Sequence, residues 1–346
     1  MFQTLRPLIF ALDPERAHGL TLAGLGAGQA LGLLPRPGAD DPVLATRLAG
    51  LELPNPIGLA AGFDKDVAVP DAMLRLGFGF VECGSVTPRP QAGNPQPRLF
   101  RLVEDRAVIN RMGFNNQGLE QAVTRLRARA GRPGVVGINL GANKDAEDRT
   151  ADYVTGLRAT AALASYVTVN ISSPNTPGLR ALQDGSALAD LVARVVAARG
   201  AIAVPIFVKV APDLEPADFD TIARIAIDGG IDGLIVSNTT ISRPALASRH
   251  AGEGGGLSGA PLQPLAQAAL RGFVAATGGR LPLIAAGGIA SGADAYARIR
   301  AGASAVQLYS ALVYDGPGLV TRIKAELAAL LRRDGFANVG AAVGAG

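Results

Sequence analysis

The hydrophobic residues after Pro54 form eight short runs, most of which lack the alternation of apolar and polar positions that marks a half-exposed strand. Such runs are typical of strands covered on both faces, as in parallel sheets. Helical stretches separate them, for example residues 115–129, 149–164, 187–198 and 216–227. The predicted strands are residues 57–61, 80–84, 135–140, 166–171, 206–210, 233–237, 283–287 and 305–309.

Eight strand and helix repeats predict an α/β protein, and a closed (β/α)8 TIM barrel rather than an open doubly wound sheet. The longest gaps follow the second, fourth and sixth strands, so we expect insertions there. Residues 98–103 and 107–111 flank Glu104-Asp105-Arg106 and predict a β-hairpin in the insertion after strand 2.

The amino-terminal segment carries a different pattern. Leu5, Leu8, Ile9 and Leu12 fall at i, i+3, i+4 and i+7, which predicts an amphipathic helix. Asp13-Pro14 then predicts an N-cap and the start of a second helix. The predicted organisation is a helical hairpin at residues 1–41, a barrel at 42–336 and a flexible tail at 337–346.

Residues 17–35 contain no Asp, Glu, Lys or Arg, but five glycines and Thr21 make them too polar for a confident transmembrane span. The residues therefore leave two alternatives for the hairpin. It packs on the main domain, or it lies on a membrane surface with its apolar side in lipid.

Composition removes several classes of chemistry. One cysteine and two histidines exclude a disulfide framework and a Cys/His zinc cluster, and no metal is expected. A Ser-His-Asp triad would need His18 or His250. The net charge of +4 comes without any run of like charges, so no nucleic acid partner is expected.

Two of the four lysines lie at predicted strand ends, where barrels place their chemistry. Lys65 follows the first strand. Lys209 lies inside the fifth, between Val208 and Val210, so its ammonium is expected to point into the barrel mouth and meet an anion. The alternative is a buried structural ion pair.

Glycine and amide side chains mark the other strand ends. Gly287-Gly288 and Tyr309-Ser310 follow strands seven and eight, where barrels commonly bind phosphate. No basic clamp for a second phosphate is evident, which favours a monophosphate cofactor such as FMN over a dinucleotide. Five asparagines offer both donors and acceptors, which suits a planar imide or ureido ring, namely Asn110, Asn139, Asn170, Asn175 and Asn238.

Eight ordered motifs, among them Gly-Leu-Ala-Ala-Gly-Phe-Asp-Lys at residues 58–65, resemble class 2, quinone-dependent dihydroorotate dehydrogenases over nearly the whole chain. The other motifs are residues 84–90, 109–115, 170–179, 209–213, 237–240, 255–259 and 307–310. The resemblance implies oxidation of (S)-dihydroorotate to orotate in de novo pyrimidine (UMP) biosynthesis. It also implies one FMN per chain as hydride acceptor and a membrane quinone as final electron acceptor.

The resemblance also implies residue roles. Ser173 would be the catalytic base, taking a proton from C5 of dihydroorotate, where class 1 relatives place cysteine. Orotate contacts would come from Lys65, Asn110, Arg111, Met112, Gly113, Phe114, Asn170, Asn175, Asn238 and Thr239. FMN contacts would come from Ala61, Gly62, Phe63, Asp64, Lys65, Ser85, Asn139, Asn170, Lys209, Ser237, Gly259, Gly288, Tyr309 and Ser310. Quinone-site candidates are His18, Arg101 and Tyr309.

The resemblance further implies a monomer whose amino-terminal helices sit on the bilayer and form the quinone access route, which favours the membrane-surface alternative. No Arg/Ser-rich transit peptide precedes the first helix, so we expect a bacterial protein, peripheral on the cytoplasmic side of the cytoplasmic membrane. A processed mitochondrial form is the other option. Two competing functions are a class 1 type enzyme using fumarate or NAD, and a non-catalytic barrel acting as a membrane-bound interaction module.

Overall fold

The computed structural model describes residues 2–35 and 38–346. It contains an amino-terminal helical hairpin, as predicted. The predicted segment 1–41 also includes Met1, Arg36 and Pro37, which lie outside the described residues. The helices are α1 (Phe2–Ala11), α2 (Pro14–Ala30), α3 (Pro70–Arg75), α4 (Leu119–Arg129), α5 (Arg149–Thr160), α6 (Gly185–Arg199), α7 (Pro216–Asp228), α8 (Gln263–Thr277), α9 (Gly292–Arg300), α10 (Ser310–Asp315), α11 (Leu319–Arg333) and α12 (Val339–Ala342).

The strands of the described chain are β1 (Thr46–Leu48), β2 (Leu51–Leu53), β3 (Ile57–Leu59), β4 (Phe80–Val86), β5 (Leu99–Leu102), β6 (Ala107–Asn110), β7 (Val135–Leu140), β8 (Tyr166–Asn170), β9 (Ile206–Val210), β10 (Gly233–Val236), β11 (Gly256–Gly259), β12 (Leu283–Ala286) and β13 (Ala305–Leu308). The eight predicted strands all form, and they close into a parallel barrel in the order β3-β4-β7-β8-β9-β10-β12-β13, with β13 pairing β3. This confirms the predicted fold class.

The amino-terminal end of the barrel is filled by aromatic side chains. Phe80, Tyr166 and Phe207 stack edge to face, with ring centroids 5.4 and 6.3 Å apart. Leu48 and Leu53, from the β1-β2 hairpin, are buried in the same cluster. Because side chains close this end, the open space of the barrel lies at the carboxyl ends of the strands.

A second sheet is built from the insertions. The predicted hairpin after β4 is confirmed as β5 and β6, which pair antiparallel. A third strand, β11 from the insertion after β10, pairs with β6. The sequence did not predict β11 because its four residues, Gly-Leu-Ser-Gly, have low strand propensity, and the pairing itself depends on tertiary contact.

The helical hairpin is fixed to this second sheet by charged groups. Glu15 on α2 forms an ion pair of 2.6 Å with Arg98. Arg101 on β5 donates a hydrogen bond of 3.2 Å to the Ile9 carbonyl and another to the Leu12 carbonyl, with its guanidinium 4.7 Å from the centre of the Phe10 ring. Of the described helices, none is both long and apolar enough to cross a bilayer.

The carboxyl-terminal segment 337–346, for which we predict a flexible tail, contains α12. Val339 and Ala342 are fully buried, and α12 packs on α9 and β1. The Asn338 side chain caps the helix by accepting from the N–H of Ala341 at 2.9 Å. The segment differs from the prediction because the side chains of Val339 and Ala342 are buried where α12 packs on α9. The alanine and glycine composition of the segment does not indicate that contact.

Candidate active site

One cavity of about 520 Å³ lies at the carboxyl ends of the barrel strands and continues between α1 and α2. This volume suits a small-molecule or cofactor site. Most residues predicted to bind ligands line it. They are His18, Ala61, Gly62, Phe63, Lys65, Ser85, Arg101, Asn110, Met112, Gly113, Phe114, Asn170, Ser173, Asn175, Lys209, Ser237, Asn238, Thr239, Gly259, Gly288, Tyr309 and Ser310.

Three predicted contact residues do not line this cavity. Asp64 is fully buried, and its carboxylate accepts hydrogen bonds from the N–H groups of Ala68 and Val69 at 2.8 Å each. The Arg111 guanidinium pairs with Glu253 at 2.7 Å. Asn139 is fully buried behind the wall, where it supports other amides. The family resemblance implied contacts at these positions, but the direction of each side chain is set by its own polar partners.

Asn170 at the end of β8 is the centre of a hydrogen-bonded amide network. Its Nδ2 donates to Ser85 Oγ at 2.9 Å and to Asn139 Oδ1 at 3.1 Å. Its Oδ1 accepts from Ser172 Oγ at 3.0 Å and from Asn238 Nδ2 at 3.4 Å. The network links the ends of β4, β7 and β8 to the segment after β10, so these polar groups are held in fixed positions.

The loop after β8 is tied to the second sheet and to the barrel. Asn175 Nδ2 donates to Asn110 Oδ1 at 3.2 Å. Arg180 donates to the carbonyls of Ser172 and Thr239 at 3.0 Å each, and it pairs with Asp213 at 2.9 Å. The loop that carries Ser173 is therefore braced from both sides.

Ser173 is buried, with 6% of its surface exposed, and lies in the cavity wall. Its Oγ accepts a hydrogen bond from the N–H of Asn175 at 3.3 Å. In the described parts of the chain, no histidine, lysine or carboxylate forms a hydrogen bond with this hydroxyl. Any proton transfer at Ser173 must therefore rely on its position rather than on a neighbouring base.

Glu82 is a fully buried carboxylate on β4 and is not among the predicted site residues. It accepts from Asn139 Nδ2 at 2.7 Å, Gln307 Nε2 at 2.9 Å and the Tyr166 hydroxyl at 3.2 Å. A glutamate within the apolar run at residues 80–84 could have indicated such a site. Burial lowers the pKa of Lys209 below its ordinary value, and attraction to Glu82 partly opposes that shift.

Gln307 leaves an unused acceptor at the cavity. While its Nε2 binds Glu82, its Oε1 is buried and has no hydrogen-bond partner among the described residues. Gln307 and Lys209 both line the cavity. Buried polar groups are almost always paired. This part of the cavity wall therefore suits a ligand with a donor for Gln307 Oε1 and an acceptor for the Lys209 ammonium.

The loop after β12 requires glycine. Gly288 has φ of +73°, and a Cβ there would lie 2.5 Å from the Cβ of Gln263. Gly288 lines the cavity, and its N–H takes part in none of the backbone hydrogen bonds of the described chain. Free N–H groups of this kind suit an anion such as a phosphate.

Comparison with known proteins identifies the family. A family model described as dihydroorotate dehydrogenase matches residues 43–331. The chain belongs to the dihydroorotate dehydrogenase family. The family predicted from the motifs is thereby confirmed.

Full-length relatives of the same family carry a more specific name. Proteins named dihydroorotate dehydrogenase (quinone) are 61% identical in Erythrobacter litoralis, with 99% of each chain covered, and 62% identical in Sphingopyxis alaskensis, with 99% of this chain and 96% of the relative covered. A crystal structure of DHODH from Eimeria tenella in complex with ferulenol superposes with a TM-score of 0.92 at 39% identity, covering 97% of this chain and 98% of that one.

In this dihydroorotate dehydrogenase, Lys65 lines the cavity where the barrel mouth meets the helical hairpin. Burial lowers the pKa of its ammonium from 10.5 to about 8, while the charges of Glu15 and Asp66 oppose the shift. Lys65 therefore remains mostly a cation at neutral pH and is available to an anionic ligand.

His18 on α2 forms the link between the hairpin and the barrel. Its ring lies 5.3 Å from the Phe63 ring, which in turn lies 5.6 Å from the Tyr309 ring. Burial lowers the His18 pKa to about 4, and the charge of Lys65 adds to this effect. The imidazole is therefore neutral at pH 7, and its Nε2 is buried without a partner among the described residues.

Proposed function

We propose that this dihydroorotate dehydrogenase oxidises (S)-dihydroorotate to orotate and passes the electrons to a membrane quinone, in de novo pyrimidine biosynthesis. The single observation that carries the proposal is the continuity of the cavity. One part is lined by amides, lysines and Ser173. The other is lined by apolar residues of α1 and α2, such as Ile9, Phe10 and Leu25. The polar part suits a small anionic ring and the apolar part suits a quinone.

FMN is the cofactor in this proposal, one per chain, and the residues present fit it. The unpaired Gln307 Oε1 and the Lys209 ammonium match a ring that has both an N–H donor and carbonyl acceptors. Gly288 suits the phosphate. Bound FMN supplies acceptance of hydride and transfer of electrons. The remaining contacts are assigned to Ala61, Gly62, Phe63, Lys65, Ser85, Asn170, Ser237, Gly259, Tyr309 and Ser310, with Asn139 supporting them from behind the wall.

Dihydroorotate carries a carboxylate on a cyclic ureide ring, and the polar residues of the cavity match both parts. The Lys65 ammonium is the proposed partner of the carboxylate. Asn110, Asn175 and Asn238 offer amide donors and acceptors to the ring. Because Asn175 already binds Asn110, and Asn238 binds the Asn170 network, these amides are oriented before substrate arrives.

Ser173 is the proposed base. Its Oγ takes the C5 proton of dihydroorotate while the C6 hydrogen leaves with two electrons as hydride. The serine's own proton leaves through Thr176, which is also buried in this loop, or through solvent. The quinone finally takes up two electrons and two protons to give the quinol. Lys209 stabilises negative charge near the acceptor, because a preorganised cation in a buried site acts strongly.

The hairpin is the proposed membrane contact and quinone access route, with His18, Arg101 and Tyr309 at the quinone site. Six of the nine large hydrophobic side chains that are exposed in the described chain lie on or next to it, namely Leu5, Leu8, Leu12, Leu20, Leu31 and Leu33. An exposed apolar surface of this kind suits a lipid interface. We place the protein on the cytoplasmic face of a bacterial cytoplasmic membrane, as a monomer, as its resemblance to class 2 enzymes implies.

The proposal is tested by steady-state assays in detergent with ubiquinone, fumarate and NAD as alternative acceptors. We expect turnover of dihydroorotate with ubiquinone and a flavin absorbance spectrum in the purified protein. A preference for fumarate or NAD would overturn the quinone assignment. A colourless preparation that does not regain FMN would overturn the cofactor assignment.

A further inference from the structure

Arg298 on α9 is a fully buried guanidinium that has no part in the chemistry proposed above. Only 1% of its surface is exposed. Its Nη2 donates hydrogen bonds of 3.0 Å to the carbonyls of Gln263 and Gly287. Its Nη1 is buried and has no partner among the described residues. A buried arginine with an unused donor needs a reason to be there.

The charge of Arg298 is not neutralised by a carboxylate. Asp294 attracts it, but no ion pair within the described residues includes Arg298. The Asp294 oxygens instead accept from Ser291 Oγ at 2.8 Å, the Ala290 N–H at 3.0 Å and Gln263 Nε2 at 3.0 Å. Burial lowers the Arg298 pKa to about 10, so the group is still a cation at neutral pH. An unpaired buried cation is costly, and a nearby anion would offset that cost.

The hydrogen bond to Gly287 also orients the next peptide group. The carbonyl of Gly287 and the N–H of Gly288 belong to one planar peptide unit, and in a trans peptide they point in opposite directions. Because Arg298 holds the carbonyl on the α9 side, the Gly288 N–H points away from α9. Gly288 lines the cavity, and its N–H is unused by the described backbone.

We infer that Arg298 is a positioning residue for the phosphate of the bound flavin. It fixes the Gly287-Gly288 peptide so that the Gly288 N–H faces the anion, and it places a buried positive charge behind that peptide. The inference rests on the proposed function, because it assumes that the Gly288 loop binds the FMN phosphate. It assigns a role to a side chain that does not itself line the cavity.

Two flavins separate a phosphate role from a structural one. The full-length chain is freed of flavin and titrated with FMN and with riboflavin, which lacks the phosphate, by quenching of flavin fluorescence. For Arg298→Gln we expect FMN affinity to fall at least about tenfold, the scale of one charge-assisted interaction, while riboflavin affinity changes less than about twofold. The control is Arg300→Met on the same helix, whose guanidinium instead stacks on Tyr296 and Phe336. It should leave the ratio of the two affinities unchanged.

Each outcome decides the inference. Equal losses of FMN and riboflavin affinity in Arg298→Gln, or no loss of either, would overturn it. If Arg298→Gln does not fold, Arg298→Met decides, because it removes the charge and both donated hydrogen bonds while keeping an unbranched side chain. The ratio of FMN affinity to riboflavin affinity must then fall at least about tenfold, as for Arg298→Gln. An unchanged ratio in that variant would also overturn the inference. Failure of the unaltered chain to bind FMN at all would refute the proposed cofactor instead.

Discussion

The pKa of Lys65 predicts a pH limit for binding of the substrate carboxylate. Burial lowers this pKa from 10.5 to about 8. The ammonium is therefore present below about pH 8 and is lost as the pH rises through that value. Between pH 7 and pH 9 the protonated fraction falls about tenfold, so affinity for a carboxylate that needs the cation falls by the same factor.

Orotate titrations of the flavin absorbance between pH 6 and pH 10 measure this limit directly. We expect a constant Kd below about pH 7, then a rise that approaches tenfold per pH unit above about pH 8. Orotate is preferable to turnover because its binding does not depend on proton removal by Ser173. A Kd that stays flat to pH 10 would contradict the role given to Lys65.

Two substitutions locate the titrating group. Lys65→Met should weaken orotate binding at pH 7 and remove the pH dependence above pH 8, because no titrating ammonium remains. Glu15→Gln removes a negative charge that raises the Lys65 pKa, so the limit should move to lower pH. Glu120→Gln, at an exposed position on α4, is the matched control and should leave the limit in place. Persistence of the limit in Lys65→Met would refute the assignment.

Three further predictions concern the base, the quinone route and the membrane. Ser173→Ala should lower the rate of flavin reduction by dihydroorotate at least about a hundredfold in rapid-mixing experiments, with an unchanged spectrum of the bound flavin. Flavin reduction at the normal rate would refute Ser173 as the base. Thr21→Trp, which narrows the cavity at α2, should slow reoxidation by a long-chain quinone and spare reduction by dihydroorotate. Leu20→Trp on the exposed face is its control, and equal effects of both would contradict the route. Leu8→Gln combined with Leu31→Gln should lower partitioning to lipid vesicles at least about tenfold in sedimentation assays, whereas unchanged partitioning would exclude this face as the contact.

The barrel strands were predictable because strands buried on both faces appear as uninterrupted apolar runs. The predicted strands 135–140 and 206–210 match β7 and β9 at both ends. Two of the four predicted helix starts, Arg149 and Pro216, match those of α5 and α7, but one predicted start is four residues too early. The helix predicted over 115–129 begins at Leu119, because the Asn116 side chain binds Thr87 and Gly118 adopts φ of +85°. Local periodicity does not contain those tertiary contacts.

The candidate site was predictable where the rule of strand ends applies. That rule, with the family motifs, pointed to Ser173, Lys209 and the asparagines. It could not find Glu82, whose partners come from three other strands, or Arg298, whose partners are two backbone carbonyls. Such roles depend on which groups meet in space, and neither spacing nor composition records that.

The most direct test of the central claim is a stoichiometric assay of the full-length protein in detergent, with dihydroorotate and a long-chain ubiquinone as the only substrates. We predict that one orotate forms for each quinol and that both cease when either substrate is omitted. Orotate formation that requires fumarate or NAD, with no quinol produced, would contradict the claim that this cavity joins a dihydroorotate site to a quinone site.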